Sequence, residues 1–143
     1  MNIIGIDPGL TGAVVSKTRT MHVSSPQLWV SYLQSLSEAT VILEDVGYWR
    51  PGDSPTSIAK FARGCGFIEG VLFTMPNIKV VKVTPQKWML DFKKTYMVKL
   101  EGTKTLRKRE IRHIMSAKYP LCTTIAMADA FALYDYGVRN VEG

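Results

Sequence analysis

The chain predicts an α/β domain with a mixed sheet, and three observations carry that reading. It opens with three hairpin-like strands, it then alternates strands with helices, and it contains no repeat at a fixed period and no low-complexity run. Its 143 residues suit one compact domain with a proper core, and 46% hydrophobic against 21% charged residues is a globular composition.

Taken in order, Ile3, Ile4 and Ile6 make residues 2–7 a buried strand, and the Pro-Gly of "MNIIGIDPGLTGAVV" turns the chain into a second strand over 11–16. A shorter third strand covers 19–23. Leu28, Trp29, Tyr32, Leu33 and Leu36 recur at helical spacing across 26–36. "TVILE" at 40–44 is a buried strand that ends in an acid. Residues 47–56, "GYWRPGDSPT", are a loop rich in Gly, Pro and Asp that carries aromatics. A long helix follows over 57–75, and Ile78–Val83 alternates apolar residues with lysines as a strand does. A short helix begins at Pro85, a basic loop covers 93–103, and helices run over 104–118 and 124–138. Within the long helix Gly64, Gly66 and Gly70 each cost roughly 1 kcal/mol against alanine. Ala62, Gly66 and Gly70 share an i, i+4, i+8 row, which predicts close packing of that row against the sheet. A phosphate loop is the weaker reading, because this GxG lies inside a helical pattern.

Eighteen Lys and Arg against twelve Asp and Glu leave a net charge of +6, which favours a polyanionic partner. No apolar stretch approaches the ~20 residues that span a bilayer, and the start lacks the pattern of a secretory signal. Cys65 and Cys122 have no metal-ligand spacing. A reduced, cytoplasmic protein is the expectation.

Two acids close strands. Asp7 ends the first, where it is either a turn residue before Pro-Gly or a carboxylate fixed by a rigid platform. Glu44 ends the TVILE strand. Asp129 sits in "IAMADAFALYDYG", a helix whose plain reading is amphipathic with Asp129 on the polar face. Ala126, Ala130 and Leu133 around it place the acid beside the buried side, where a carboxylate is costly unless paired, hydrogen-bonded or bound to metal. Acids brought together from such separate segments suit a hard divalent cation such as Mg²⁺. Between 93 and 112 lie Lys93, Lys94, Lys99, Lys104, Arg107, Lys108, Arg109 and Arg112, offset by Glu101 and Glu110. Lys104, Lys108 and Arg112 form one helical row, with Leu106, Ile114 and Ala117 directed elsewhere. A solvated face is the ordinary reading of such a run; its density favours phosphate contact. His22 and His113 have no partner in the sequence.

In this order "IGIDPGLTGA", "ILEDV", "FARGCGFIEGVL", "VTPQKW", "KREIRHIMSAKYP" and "MADAFALYDYG" resemble the RuvC-type Holliday junction resolvases, above all their short, phage-like members. The likeness runs from Asn2 to about Gly137. It implies an RNase H-like fold, a five-stranded mixed sheet flanked by helices. It also implies a homodimer that cuts four-way and other branched DNA symmetrically with Mg²⁺ or Mn²⁺, in the host bacterial cytoplasm if phage-encoded. By the resemblance Asp7, Glu44 and Asp129 are the catalytic, metal-binding carboxylates, holding two ions about the scissile phosphate. Lys108 aligns with a basic residue near the DNA backbone, and Lys93, Lys94, Lys104 and Arg112 extend that surface.

Two departures stand out. The family's fourth ligand, about one turn before the last aspartate, falls where this chain has Thr124, Ile125 and Ala126. The aromatic that follows the strand-end glutamate is replaced by Gly47, with Tyr48 and Trp49 next, either stacking on junction bases or structural. The resemblance also places a dimer interface on the long helix, with Phe61, Ile68 and Leu72 near one stripe. Two other function classes compete: a branched-DNA-binding module without cleavage, kept open by Ala126, and an actin-like sugar or acetate kinase, prompted by "DPGLTG". The kinase reading needs a second lobe and a second Gly-rich hairpin, and the sequence has neither.

Overall fold

A computed structural model describes residues 1–47 and 52–141. Five strands, β1 (Asn2–Ile6), β2 (Ala13–Val15), β3 (Thr20–His22), β4 (Ala39–Glu44) and β5 (Ile78–Val83), form one sheet in the order β3-β2-β1-β4-β5. The first three are antiparallel neighbours, whereas β4 runs parallel to both β1 and β5. Five α-helices cover the sheet: α1 (Pro26–Ser35), α2 (Pro55–Phe73), α3 (Pro85–Tyr96), α4 (Lys104–Lys118) and α5 (Ala128–Asn140). This is an α/β domain with a five-stranded mixed sheet, as the order of elements predicts. Among the described residues no helix is long and apolar enough to cross a membrane.

The two-residue period of the strands sorts the core into two layers. Ile4, Ile6, Val41 and Leu43 point to one face, where Trp29 and Leu33 of α1 and Ile68 and Leu72 of α2 cover them. Ile3 and Ile42 point to the other, against Trp88 and Phe92 of α3, Ile111 and Met115 of α4, and α5. The same alternation puts Gly5 and the strand-end Asp7 on the α5 face with Ile3, and Glu44 there with Ile42. Helix α5 lies directly on the sheet: a Cβ at Gly5 would sit 2.3 Å from the Ala130 carbonyl oxygen. That approach, with α3 and α4 packed outside, buries every residue of α5 from Ala128 to Gly137. The helix is therefore a central element with no solvated polar face, and Asp129 is buried with it.

Several boundaries and faces differ from the sequence reading. Helix α2 starts at Pro55, because Ser54 caps it by accepting a hydrogen bond from Ser57 N at 3.1 Å. Its buried row is Phe61, Cys65, Ile68 and Leu72, so the stripe expected at a dimer interface is interior to the protomer. The glycine row turns outward instead: a Cβ at Gly64, Gly66 or Gly70 would meet nothing within 4 Å. Burying large apolar side chains outweighs close approach through glycine, so the helix rotates its bulky row to the sheet. Helix α3 runs through Tyr96, making residues 93–96 helical; Thr84 caps it by accepting from Lys87 N at 3.3 Å. On α4 the buried residues are Ile111 and Met115, while Leu106 is 52% exposed. The last helical segment divides into a 3-10 turn, Ile125–Met127, and α5.

A polar clamp ties α3, α4 and α5 together around Asp135. Asp135 is fully buried and accepts hydrogen bonds from Tyr96 Oη at 2.7 Å, Lys118 Nζ at 2.8 Å, Arg139 Nε at 2.8 Å and Tyr119 Oη. Burial pushes its carboxyl up, but these donors together hold it below the usual carboxylate range. Every oxygen of the buried charge is thereby partnered, which is the condition for retaining it.

Candidate functional site

Three carboxylates from separate elements open onto one groove of about 530 Å³ at the carboxyl ends of β1 and β4. Asp7 is placed by the end of β1 and by the turn that follows. Its backbone N donates to the Ala13 carbonyl at 3.1 Å, and its Oδ1 accepts from Gly9 N at 3.1 Å. The turn demands glycine at position 12, where a Cβ would lie 2.0 Å from the Asp7 carbonyl oxygen. The Pro-Gly turn and the fixed carboxylate are thus one device, and the two readings of Asp7 merge.

Glu44 ends β4 and is half-buried. The Trp88 indole Nε1 donates to its Oε2 at 2.7 Å, which fixes one carboxylate oxygen from a fully buried ring. Burial and then the Asp7 charge raise the Glu44 carboxyl from 4.5 to about 7, with the Trp88 hydrogen bond opposing and Asp129 adding to the rise. Asp129, in the first turn of α5, is raised chiefly by burial, with Lys108 opposing and Asp7 adding. Lys108 Nζ lies 3.5 Å from Asp129 Oδ2. The other oxygen, Oδ1, is buried and has no hydrogen-bond partner among the described residues.

The groove also has a cationic lining: Lys104, Arg107 and Lys108 of α4 open onto it together with the acids, Lys108 directly beside Asp129. Asp53, from the segment that enters α2, lines it as well. Among the described residues no group of three or more His, Cys, Asp or Glu side chains is gathered tightly enough to hold an ion as it stands. The donor chemistry nonetheless fits a hard cation. All the groups are carboxylate oxygens, the Asp7 charge raises the carboxyls of both Glu44 and Asp129, and among the described residues Asp129 Oδ1 is an orphaned buried acceptor that a cation would satisfy.

No protein-family model and no curated protein matches this chain.

The remaining residues singled out from the sequence are scattered around this groove. Lys93 lines a neighbouring cavity with Arg107. Lys94 is exposed in the last turn of α3. Arg112 turns away from the row it shares with Lys104 and Lys108, its Nη2 donating to the Thr123 carbonyl at 3.0 Å. Tyr48 and Trp49 lie outside the described residues. Thr124, Ile125 and Ala126 form the 3-10 turn and its N-cap and do not line the groove. Sequence reasoning missed Trp88, Asp53 and, as a groove residue, Arg107. For Trp88 the available signals were its place in "VTPQKW", one of the segments that carry the resemblance, and its position shortly after the end of β5, the strand beside Glu44.

Proposed function

We propose that this chain is a divalent-metal-dependent DNA endonuclease of the RuvC-like, RNase H-like kind, which resolves four-way junctions and other branched DNA in recombination and repair. The observation that carries the reading is the convergence of Asp7, Glu44 and Asp129 on one groove that Lys104, Arg107 and Lys108 also line. A phosphodiester is the substrate to which both sets of side chains respond: its oxygens complement the Lys and Arg cations, and hydrolysing it needs metal cations held by the acids.

Asp7, Glu44 and Asp129 would hold Mg²⁺ or Mn²⁺. Bound there, the ions lower the pKa of the attacking water and stabilise the leaving 3′ oxygen. The chain's own residues do the rest. Trp88 holds Glu44 in one rotamer, so the carboxylate does not have to be ordered when substrate arrives. Lys108 screens Asp129 in the free protein and, with Lys104 and Arg107, binds the phosphates on either side of the cut. Asp53 adds a further carboxylate to the groove, in the role left open by Ala126.

Resolving a junction takes two cuts on opposing strands, and one acidic groove makes one. A homodimer about a two-fold axis supplies both. Mixing wild-type chains with Asp7→Asn chains should then give mixed dimers that nick a cruciform plasmid without linearising it.

The second reading, a branched-DNA-binding module that does not cut, draws on the absence of a tight ligand cluster among the described residues. Three variants separate the two. Asp7→Asn, Glu44→Gln and Asp129→Asn should each abolish cleavage while junction binding is kept or tightened, since each removes negative charge that faces phosphate. A variant that cuts at near wild-type rate removes that residue from the metal site.

A further inference from the structure

Beside the acidic groove, and sharing Pro85, Met89 and Arg107 with it, lies a second cavity of about 270 Å³. Pro85, Gln86, Met89 and Lys93 of α3 form one wall, Arg107 of α4 another, and Leu100 closes it from the connection between the helices. That connection is unusual. Leu100 is buried yet sits at φ 54, and Met97 before it is at φ 56. At Met97 this left-handed backbone is the cap that ends α3; at Leu100 it is uncommon for a residue with a side chain. Here it holds an apolar side chain against the cavity, next to the candidate catalytic groove.

We propose that this cavity receives one unstacked nucleotide of the strand being cut, immediately beside the scissile phosphate. The proposal rests on the nuclease reading of the groove. Pro85, Met89 and Leu100 offer an apolar surface to the face of a base. The Gln86 amide, which is exposed at the cavity, brings both a donor and an acceptor for a base edge. Lys93 and Arg107 flank the opening as cations for the nucleotide's phosphate, and Arg107 belongs to both spaces, so a strand can pass from one to the other without leaving positive charge. A continuous duplex presents no free base to such a cavity. A branch point does, because its pairs open at little cost. The cavity therefore selects branched over continuous DNA before any bond is cut.

The test uses a synthetic four-way junction with 2-aminopurine placed in turn at each position of one strand on either side of the branch point. Binding is followed in chelator, and cleavage of the unlabelled junction in Mg²⁺ or Mn²⁺. One position should brighten severalfold when the protein binds. Gln86→Trp, on the exposed rim, and Met89→Trp, inside the cavity, should each remove the brightening and slow junction cleavage roughly tenfold, the equivalent of one base-stacking interaction. If the protein binds and cuts the junction and no position brightens, or if it cuts and brightening survives both substitutions, the nucleotide cavity is wrong and the nuclease reading stands. If the protein neither binds nor cuts the junction, both are overturned.

Discussion

Replacing Glu44 by Gln should stabilise the metal-free protein, although it removes a residue assigned to the site. The Glu44 carboxyl is raised from 4.5 to about 7 by burial and by the neighbouring Asp7 charge. The folded chain thus holds the proton more tightly than the unfolded chain does. Below about pH 4.5 the group is neutral in both states and costs nothing. As pH rises from there to about 7 the unfolded state ionises freely and the folded state does not, so stability falls; above about 7 the loss is complete. At 1.36 kcal/mol per pH unit of displacement, the full cost is roughly 3 kcal/mol. Gln is neutral throughout, matches Glu in shape and can still accept from Trp88 Nε1. The variant should therefore match wild type near pH 4.5 and exceed it at pH 8 by an amount on the order of 10 °C in melting temperature. Thermal unfolding in chelator at pH 4.5, 6 and 8 reads this directly, and millimolar Mg²⁺ should narrow the gap by stabilising wild type alone. Equal melting temperatures at pH 8 in chelator would refute the electrostatic description of the groove.

Three further predictions concern the frame and the cationic wall. Gly5→Ala would drive a Cβ into the backbone of α5 at Ala130 and Tyr134; it should cost about 3 kcal/mol or more in urea unfolding and reduce metal-dependent activity by shifting Asp129 away from Asp7. Asp135→Asn leaves Lys118 and Arg139 without their buried partner and should cost about 3–5 kcal/mol. Because the Asp135 carboxyl is held low, wild type should lose that advantage only on acidification below the usual carboxylate range, as an unfolding series down to pH 2–3 will show. Lys104→Ala, Arg107→Ala and Lys108→Ala should each lower the salt slope of DNA binding by about 0.9 for every phosphate that the side chain had neutralised. Arg112→Ala should change the slope less, because Arg112 is engaged with the Thr123 carbonyl.

Period and position made much of this site legible in advance. Continuous apolar runs marked β1 and β4 as buried strands with Asp7 and Glu44 at their ends, and the small residues around Asp129 marked it as lying against something. Runs without alternation do not say which face either acid takes, and that is settled by the helices that cover the two sides. Local chemistry did not say which row of α2 faces the sheet. Glycines at i, i+4 spacing and large apolar residues at similar spacing compete for the same place against the sheet, and only the volume available between helix and sheet decides for Phe61, Cys65, Ile68 and Leu72. The Asp135 clamp was illegible for another reason. Arg139 lies at i, i+4 from Asp135 on α5, a pairing the spacing does encode, but Tyr96, Lys118 and Tyr119 come from other parts of the chain, and no spacing in one segment encodes their meeting. Trp88 belongs to the same class, since its link to Glu44 exists only once β4 and β5 lie side by side and α3 folds back over them.

The most direct test of the proposed activity is to incubate the purified protein with a synthetic four-way junction in Mg²⁺ or Mn²⁺ and map the cuts on all strands. Paired nicks are expected at symmetric positions on two opposing strands, dependent on the cation and abolished in Asp129→Asn. A protein that binds the junction yet leaves every strand intact in both ions would contradict the nuclease reading and leave the non-cutting, branched-DNA-binding module in its place.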